Sequence, residues 1–321
     1  MAASYPLSAR LNRLWRLLAT GLGFVFFGVF GVLLQIVLLP WLLRRLPTLT
    51  QQKQARRVVT RTWLWFSHYL MRSGIVSAEF EGFERLGRPG QLILANHPSL
   101  LDVVFLLGRV PEANCIVKAD LQRNPAMAGQ IRACGYLPNQ EDLDFIDAVH
   151  EVLQQQCLLV FPEGTRTGWD GVVKFHRGAV SIGLRSAQVI TPVVIKMQPP
   201  NFKKGQPWYK IPMQKPAYRF IVGDDINPQD WLNKHPLPIA ARRLNDYLQQ
   251  YFNERSQEND GFKTRNQTTN YRQPRLGRPH ARRHRRRRSP VRRQRSRPRL
   301  RRRTRTRPGR AKTLRLPARR R

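Results

Sequence analysis

From residue 17 to residue 43 the chain carries no charged side chain, and between 21 and 39 only Gln35 interrupts the apolar run. A hydrocarbon core of about 30 Å needs roughly 20 such residues, so the pattern predicts an N-terminal membrane helix. Arg10, Arg13 and Arg16 precede it, while Arg44, Arg45, Lys53, Arg56, Arg57 and Arg61 come after it. The larger cluster puts the downstream chain on the cytoplasmic side of an inner or plasma membrane. Pro40, internal glycines and basic flanks on both sides leave open a segment that bends and enters one leaflet without crossing. A cleaved signal peptide fits less well, because the apolar region is too long and Pro40-Trp41-Leu42-Leu43-Arg44-Arg45 offers no small-residue cleavage site. Residues 58–71 mix Trp63, Trp65, Phe66 and Tyr69 with Arg61 and His68, the pattern of an interfacial amphipathic helix or of an ordinary surface helix packed on a domain.

Beyond this region the apolar periods shorten. A turn at Gly87-Arg88-Pro89-Gly90 leads into a strand at 92–95 and a helix at 100–107. Next come a strand at 115–117, helical stretches at 127–133 and 142–155, and a strand at 157–161. Residues 189–197 and 219–222 read as further strands, and 238–254 as a closing helix begun by Pro238. Strands alternating with helices predict an α/β fold with a mostly parallel sheet flanked by helices. The domain plan is an anchor and interfacial helix at 1–73, a catalytic domain at 74–258 and a tail at 259–321.

Charge changes this picture only at the C-terminus. The net charge is +37, but residues 261–321 hold 27 of the 57 Lys and Arg and no Asp or Glu, which leaves the body at +10. The tail has few apolar residues to offset its chain entropy and reads as disordered. Only Phe262 and Tyr271 offer rings for stacking on bases, so nucleic-acid recognition ranks below a non-selected extension or electrostatic membrane attachment. A moderately basic body suits anionic head groups, phosphates or acidic carrier proteins. Cys115, Cys134 and Cys157 are odd in number, sit in apolar stretches and form no Cys-x-x-Cys pair, so they read as buried free thiols without a disulfide framework or metal site.

Two motifs come directly after predicted strands, where active sites of open α/β sheets gather. In His97-Pro98-Ser99-Leu100-Leu101-Asp102 a histidine at a strand end meets an aspartate in the first turn of the next helix. Asp102 is placed to accept from one ring nitrogen and leave the other as a base, the division of labour of serine hydrolases. The alternative for a lone histidine is a core residue satisfied by local backbone. Ser99 lacks the Gly-x-Ser-x-Gly elbow of a nucleophile. In Phe161-Pro162-Glu163-Gly164-Thr165-Arg166, Gly164 permits a tight backbone approach, Arg166 presents a fork for phosphate or carboxylate, and Glu163 can hold that arginine or an acceptor hydroxyl. Lys118, Lys174 and Arg177 either add anion contacts or are simply solvated.

These two blocks together resemble those of the glycerolipid acyltransferases related to 1-acyl-glycerol-3-phosphate acyltransferase, over residues 75–197. The resemblance implies that His97 and Asp102 form the catalytic His-x4-Asp pair, and that Glu163, Gly164, Thr165 and Arg166 bind the acceptor and its phosphate. It also implies that Pro192, in Thr191-Pro192-Val193-Val194, helps shape the acyl-donor side. The expected reaction moves a fatty acyl group from acyl-CoA or acyl-carrier protein, as co-substrate and with no further cofactor, to the hydroxyl of a membrane lipid. The family's middle block, Gly-x-x-Phe-x-x-Arg, departs here to Gly135-Tyr136-Leu137-Pro138-Asn139 with no arginine after it. A lysophospholipid acceptor is therefore weighed against one without phosphate. A membrane-tethered nucleic-acid-binding protein acting through the tail is the competing reading from another class.

Overall fold

All five residues of β2 (Gln91–Ala95) are buried, the signature of a strand covered on both faces. In the computed structural model, which describes residues 6–34, 48–139 and 143–258, β2 lies inside a seven-stranded sheet. The other strands are β1 (Ser77–Glu81), β3 (Asn114–Lys118), β4 (Leu137–Asn139), β5 (Leu158–Val160), β6 (Val189–Gln198) and β7 (Ala217–Val222). They stand in the order β1-β7-β6-β2-β5-β3-β4. From β6 to β4 the pairings are parallel; β7 runs antiparallel to β6 and carries β1 parallel to itself. The mostly parallel sheet read from the alternation of elements is thus observed, with its exception at one side.

The pleat divides the core in two. Ile93 and Ala95 of β2 and Val193 and Ile195 of β6 face α2 (Leu49–Arg72), α3 (Asp102–Leu107) and α4 (Ala128–Cys134). Leu92 and Leu94 with Ile190 and Val194 face α5 (Leu143–Gln155), α6 (Arg177–Ser186) and α8 (Leu237–Gln257), which α7 (Gln229–Leu232) precedes. Burying each large aliphatic side chain contributes about 1.5–3 kcal/mol, so the two-sided strands dominate the core. The closing helix does carry Pro238 in its first turn, where a missing N–H costs nothing.

β1 and β4 escape a reading by hydrophobic pattern. β1 is a half-exposed edge with two glutamates, and Glu81 pairs with Arg219 of β7 at 2.6 Å. β4 is three residues long with a proline at its centre, tolerated because it pairs on one side only. The three cysteines are free and buried; burial pushes the Cys115 and Cys134 thiols up to about 12 and Cys157 to about 11, so they are inert as nucleophiles.

The N-terminal helix α1 (Leu7–Leu33) starts ten residues before the charge-free run, and it is long and apolar enough to cross a membrane. The far end of the run, with Arg44 and Arg45, and the basic tail lie outside the described residues. α1 is not a free rod. Phe27 packs on Trp63 and Phe66 of α2, and Phe26 on Trp65 and Tyr69. Near its start Arg13 donates to Ile211 O at 2.9 Å; near its end Gln130 donates to Gly31 O at 3.5 Å. The helix therefore lies along the domain for about 27 Å. Its other side is open, with Leu11, Trp15, Leu18, Leu22, Val25 and Val29 all exposed.

Two arginines of the basic flanks, Arg16 and Arg56, are buried. Arg16 donates to the carbonyls of Pro212, Met213 and Gln214. Arg56 is 0% exposed and donates to Cys134 O at 2.7 Å, Glu112 O at 3.1 Å, Gln156 and Gln52. α2 is accordingly a packed domain helix through Ala55, Val59, Trp63 and Leu70, with Trp65 left facing outward. Arg56→Ala strands two buried carbonyls, so unfolding stability is expected to fall by about 2–5 kcal/mol in denaturant titration. Arg57→Ala, which breaks only an exposed pair with Glu112, should cost about 1 kcal/mol or less.

Candidate active site

β2 ends at Ala95, and the turn beyond it is fixed before His97 is reached. The Asn96 amide donates to Ile195 O at 2.9 Å and accepts from Ile195 N at 2.7 Å, tying the turn to β6. His97-Pro98-Ser99 then reverses the chain into α3, whose first residue is Asp102. One carboxylate oxygen does two tasks: Asp102 Oδ2 accepts from Ser99 N at 2.7 Å and lies 2.9 Å from His97 Nδ1. With Nδ1 engaged, Nε2 is the nitrogen left for substrate. The ring stacks on Phe161 with centroids 4.4 Å apart, and its side chain is 18% exposed.

Asp102 is 0% exposed, and its Oδ1 has no hydrogen-bond partner among the described residues. Burial pushes its pKa up, against the opposing pull of His97, the Ser99 amide and Lys203. Ser99 is buried with its hydroxyl 2.7 Å from Tyr218 Oη, so its hydroxyl is engaged inside the fold beneath His97 and Asp102.

The second motif leaves β5 and is laced to the first. Glu163 Oε1 accepts from His97 N at 2.8 Å and from Thr167 Oγ1 at 2.8 Å, and Thr167 N donates to His97 O at 2.7 Å. Glu163 is buried, which pushes its carboxyl pKa up despite those two bonds. Gly164 has φ +61°, and a Cβ there would stand 3.3 Å from the His176 ring, so both backbone and space call for glycine. Thr165 sits half-buried on the same turn.

Arg166 does not pair with Glu163. It donates through one terminal nitrogen to Phe202 O at 2.8 Å and Lys203 O at 3.2 Å, and Phe202 O also accepts from Leu100 N at 3.2 Å. The loop after β6 thus joins both motifs. It brings in Lys203, a buried cation that the sequence pattern does not single out; burial lowers its pKa while the charges of Glu163, Asp102 and Asp170 oppose the shift. Nothing in Asn201-Phe202-Lys203-Lys204 marks it locally, since basic loop residues are usually solvated. Thr167, one position beyond the motif, is likewise unmarked by sequence.

The remaining expected residues stand apart. Lys118 is exposed at the carboxyl end of β3, on the same rim as His97 but with β5 between their strands. Pro192 is buried within β6 opposite Leu94, its carbonyl accepting from Gly223 N at 2.8 Å. Lys174 and Arg177 are exposed on either side of Phe175. Gly135 caps α4 with φ +61° and Tyr136 beside it is half-buried. The position after Asn139, where the resemblance calls for the end of the middle block, lies outside the described residues.

The arrangement offers a ring nitrogen able to act as a base, a carboxylate behind it, and two cations, Arg166 and Lys203, within electrostatic reach of that carboxylate. Known proteins with similar chains point the same way. A family model described as Acyltransferase matches residues 77–196. A 1-acyl-sn-glycerol-3-phosphate acyltransferase of Saccharomyces cerevisiae is 31% identical over 125 residues, 36% of this chain and 41% of that one. One from Helicobacter pylori is 34% identical over 113 residues, 33% of this chain and 48% of that one. The chain thus spans less than half the length of these two relatives. The crystal structure of the 1-acyl-sn-glycerophosphate acyltransferase PlsC from Thermotoga maritima shares the fold, with TM-score 0.52 and 19% identity over 81% of this chain and 99% of that one.

Proposed function

We propose that the chain is a membrane-bound acyltransferase that moves a fatty acyl group from a thioester, acyl-CoA or acyl-carrier protein, to the hydroxyl of a lysophospholipid of the 1-acyl-glycerol-3-phosphate type. The observation that carries this reading is the 2.9 Å contact of His97 Nδ1 with buried Asp102, which leaves Nε2 as the base nitrogen on a turn tied to Glu163. The relatives' names supply the acceptor class.

These positions support the following reaction. His97 Nε2 takes the acceptor's hydroxyl proton as the oxygen attacks the thioester carbonyl, and Asp102 balances the imidazolium that forms. When the carbon–sulfur bond breaks, the imidazolium returns the proton to the departing thiolate. Glu163 holds the backbone of His97 rather than the substrate. Arg166 spends one terminal nitrogen on carbonyls and keeps the rest of its fork for the acceptor phosphate, with Lys203 as a second cation near Glu163 and Asp102. This pair supplies the positive charge that the departing middle block lacks.

The contacts that hold α1 against the domain from Arg13 to Gly31 argue for a helix lying within one leaflet, since a helix held along the domain cannot also leave it to cross the bilayer. A screen of lysolipids and of acceptors without phosphate, with labelled acyl-CoA and acyl-carrier protein, tests the reading by lipid mass spectrometry. Acylated product is expected from lysophosphatidic acid at least tenfold faster than from a phosphate-free analogue. Equal rates would remove the phosphate role of Arg166 and Lys203. A chain ending at residue 260 should keep full turnover; complete loss would favour the nucleic-acid-binding alternative.

A further inference from the structure

The loop between β6 and β7 is built to present side chains outward. Lys203 N donates to Gln206 Oε1 at 3.0 Å, Gln206 Nε2 donates to Lys210 O at 2.7 Å, and Lys210 N donates to Pro207 O at 3.0 Å. On this braced turn stand Trp208, 46% exposed, and Tyr209, 55% exposed. Large aromatics left in water on a rigid turn cost solvation free energy unless something covers them.

Their neighbours indicate what does. A Cβ at Gly21 of α1 would stand 3.4 Å from the Trp208 indole, and Phe24 of α1 lies 6.0 Å from it, ring to ring. Tyr209 continues the row at 5.9 Å from Trp208. The two loop rings therefore extend the uncovered apolar side of α1. Charge fits the same surface: Lys204, Lys210 and Lys215 are exposed, and residues 199–223 contain no Asp or Glu. Aromatic rings flanked by lysines are the composition of a bilayer interface facing anionic head groups.

The row also runs inward. Phe24 lies 6.2 Å from Phe202, whose carbonyl takes the bonds from Arg166 and Leu100. We propose that residues 204–210 are a second membrane contact, with Trp208 and Tyr209 entering the boundary between head groups and acyl chains and Lys204 and Lys210 pairing with anionic lipid. This seats the rim carrying Arg166 and Lys203 at the level where a lysolipid presents its head group. The proposal rests on the reading that α1 enters the membrane.

The test uses the full chain and the double variant Tyr209→Ser/Lys210→Ser, whose side chains are exposed and outside the catalytic machinery. Acyl transfer is measured to 1-acyl-glycerol-3-phosphate in vesicles rich in anionic phosphatidylglycerol, and to a short-chain analogue that stays monomeric. The apparent KM for the vesicle acceptor is expected to rise about fivefold to tenfold, with the monomeric acceptor unaffected. An equal rise for both acceptors, no rise, or a rise confined to the acyl donor overturns the proposal; the last assigns the loop to the donor. In a second arm, lipids brominated near the head group quench part of the wild-type tryptophan fluorescence, and Trp208→Phe removes that part. Undiminished quenching also overturns the proposal. Absence of acyl transfer by the wild type to either acceptor defeats the proposed activity and leaves the quenching arm to decide the loop.

Discussion

His97→Ala is expected to lower acyl transfer about 10²- to 10⁴-fold, the usual contribution of a general base, while the protein stays folded. The turn does not depend on the imidazole. His97 N bonds Glu163 and His97 O accepts from Thr167, and both bonds survive removal of the side chain. What is lost is the stack on Phe161 and the contact with Asp102, whose Oδ2 keeps the Ser99 amide. The Asp102 carboxyl, whose pKa burial pushes up, loses with His97 two of the interactions that oppose that shift, so its neutral form is favoured further. The unfolding temperature should therefore move by less than about 5 °C. Turnover of purified His97→Ala with labelled thioester, beside its melting curve, decides the matter; turnover near the wild-type value would dismiss His97 as the base.

Asp102→Asn separates charge from geometry. In serine hydrolases the corresponding change costs about 10⁴-fold, because the amide also reverses the histidine tautomer. Here one oxygen, Oδ2, serves both Ser99 N and His97 Nδ1. An asparagine that places its carbonyl there keeps both bonds and puts its NH2 where Oδ1 now lacks a partner. The tautomer is kept and only the charge facing the imidazolium disappears, so a smaller loss of about 10²- to 10³-fold is expected. Stability moves the other way with pH. The folded pKa of Asp102 lies above its reference of 3.8, so the fold prefers the protonated form and ionisation costs stability. That cost is absent below the reference value, grows as pH rises from the reference to the folded value, and is constant above it. Melting temperatures of wild type and variant, followed upward from pH 4, should diverge in the variant's favour and then run parallel once pH exceeds the folded value. Divergence in the wild type's favour would mean the buried carboxylate is better compensated than its orphaned oxygen indicates.

Much of this site is legible in the sequence because its two halves are local. A strand end, a proline turn and a helix start place His97 against Asp102 within six residues, and only short-range backbone geometry is needed. The glycine at 164 is legible for the same reason, since its positive φ is a property of one turn. Lys203 and Thr167 are not, because their importance comes from burial beside Asp102 and Glu163, and burial is set by strands far away in sequence. The role of Glu163 is half legible: a carboxylate in the motif is plain, but its partner is the His97 amide and not Arg166. Arg16 and Arg56 are not legible as core residues, because a basic flank gives no sign that these two are buried donors to main-chain carbonyls.

By itself the sequence determined the α/β alternation, the apolar N-terminal helix and the His97–Asp102 and Glu163–Arg166 blocks, since each depends on residues within one or two turns of each other. Tertiary structure alone decided that β7 reverses the sheet, that α1 lies along the domain, and that the loop after β6 ties Arg166, Leu100 and the exposed Trp208 together. Those features depend on which buried surfaces meet across tens or hundreds of residues. Chain entropy and packing choose that pairing globally, and no local pattern encodes it.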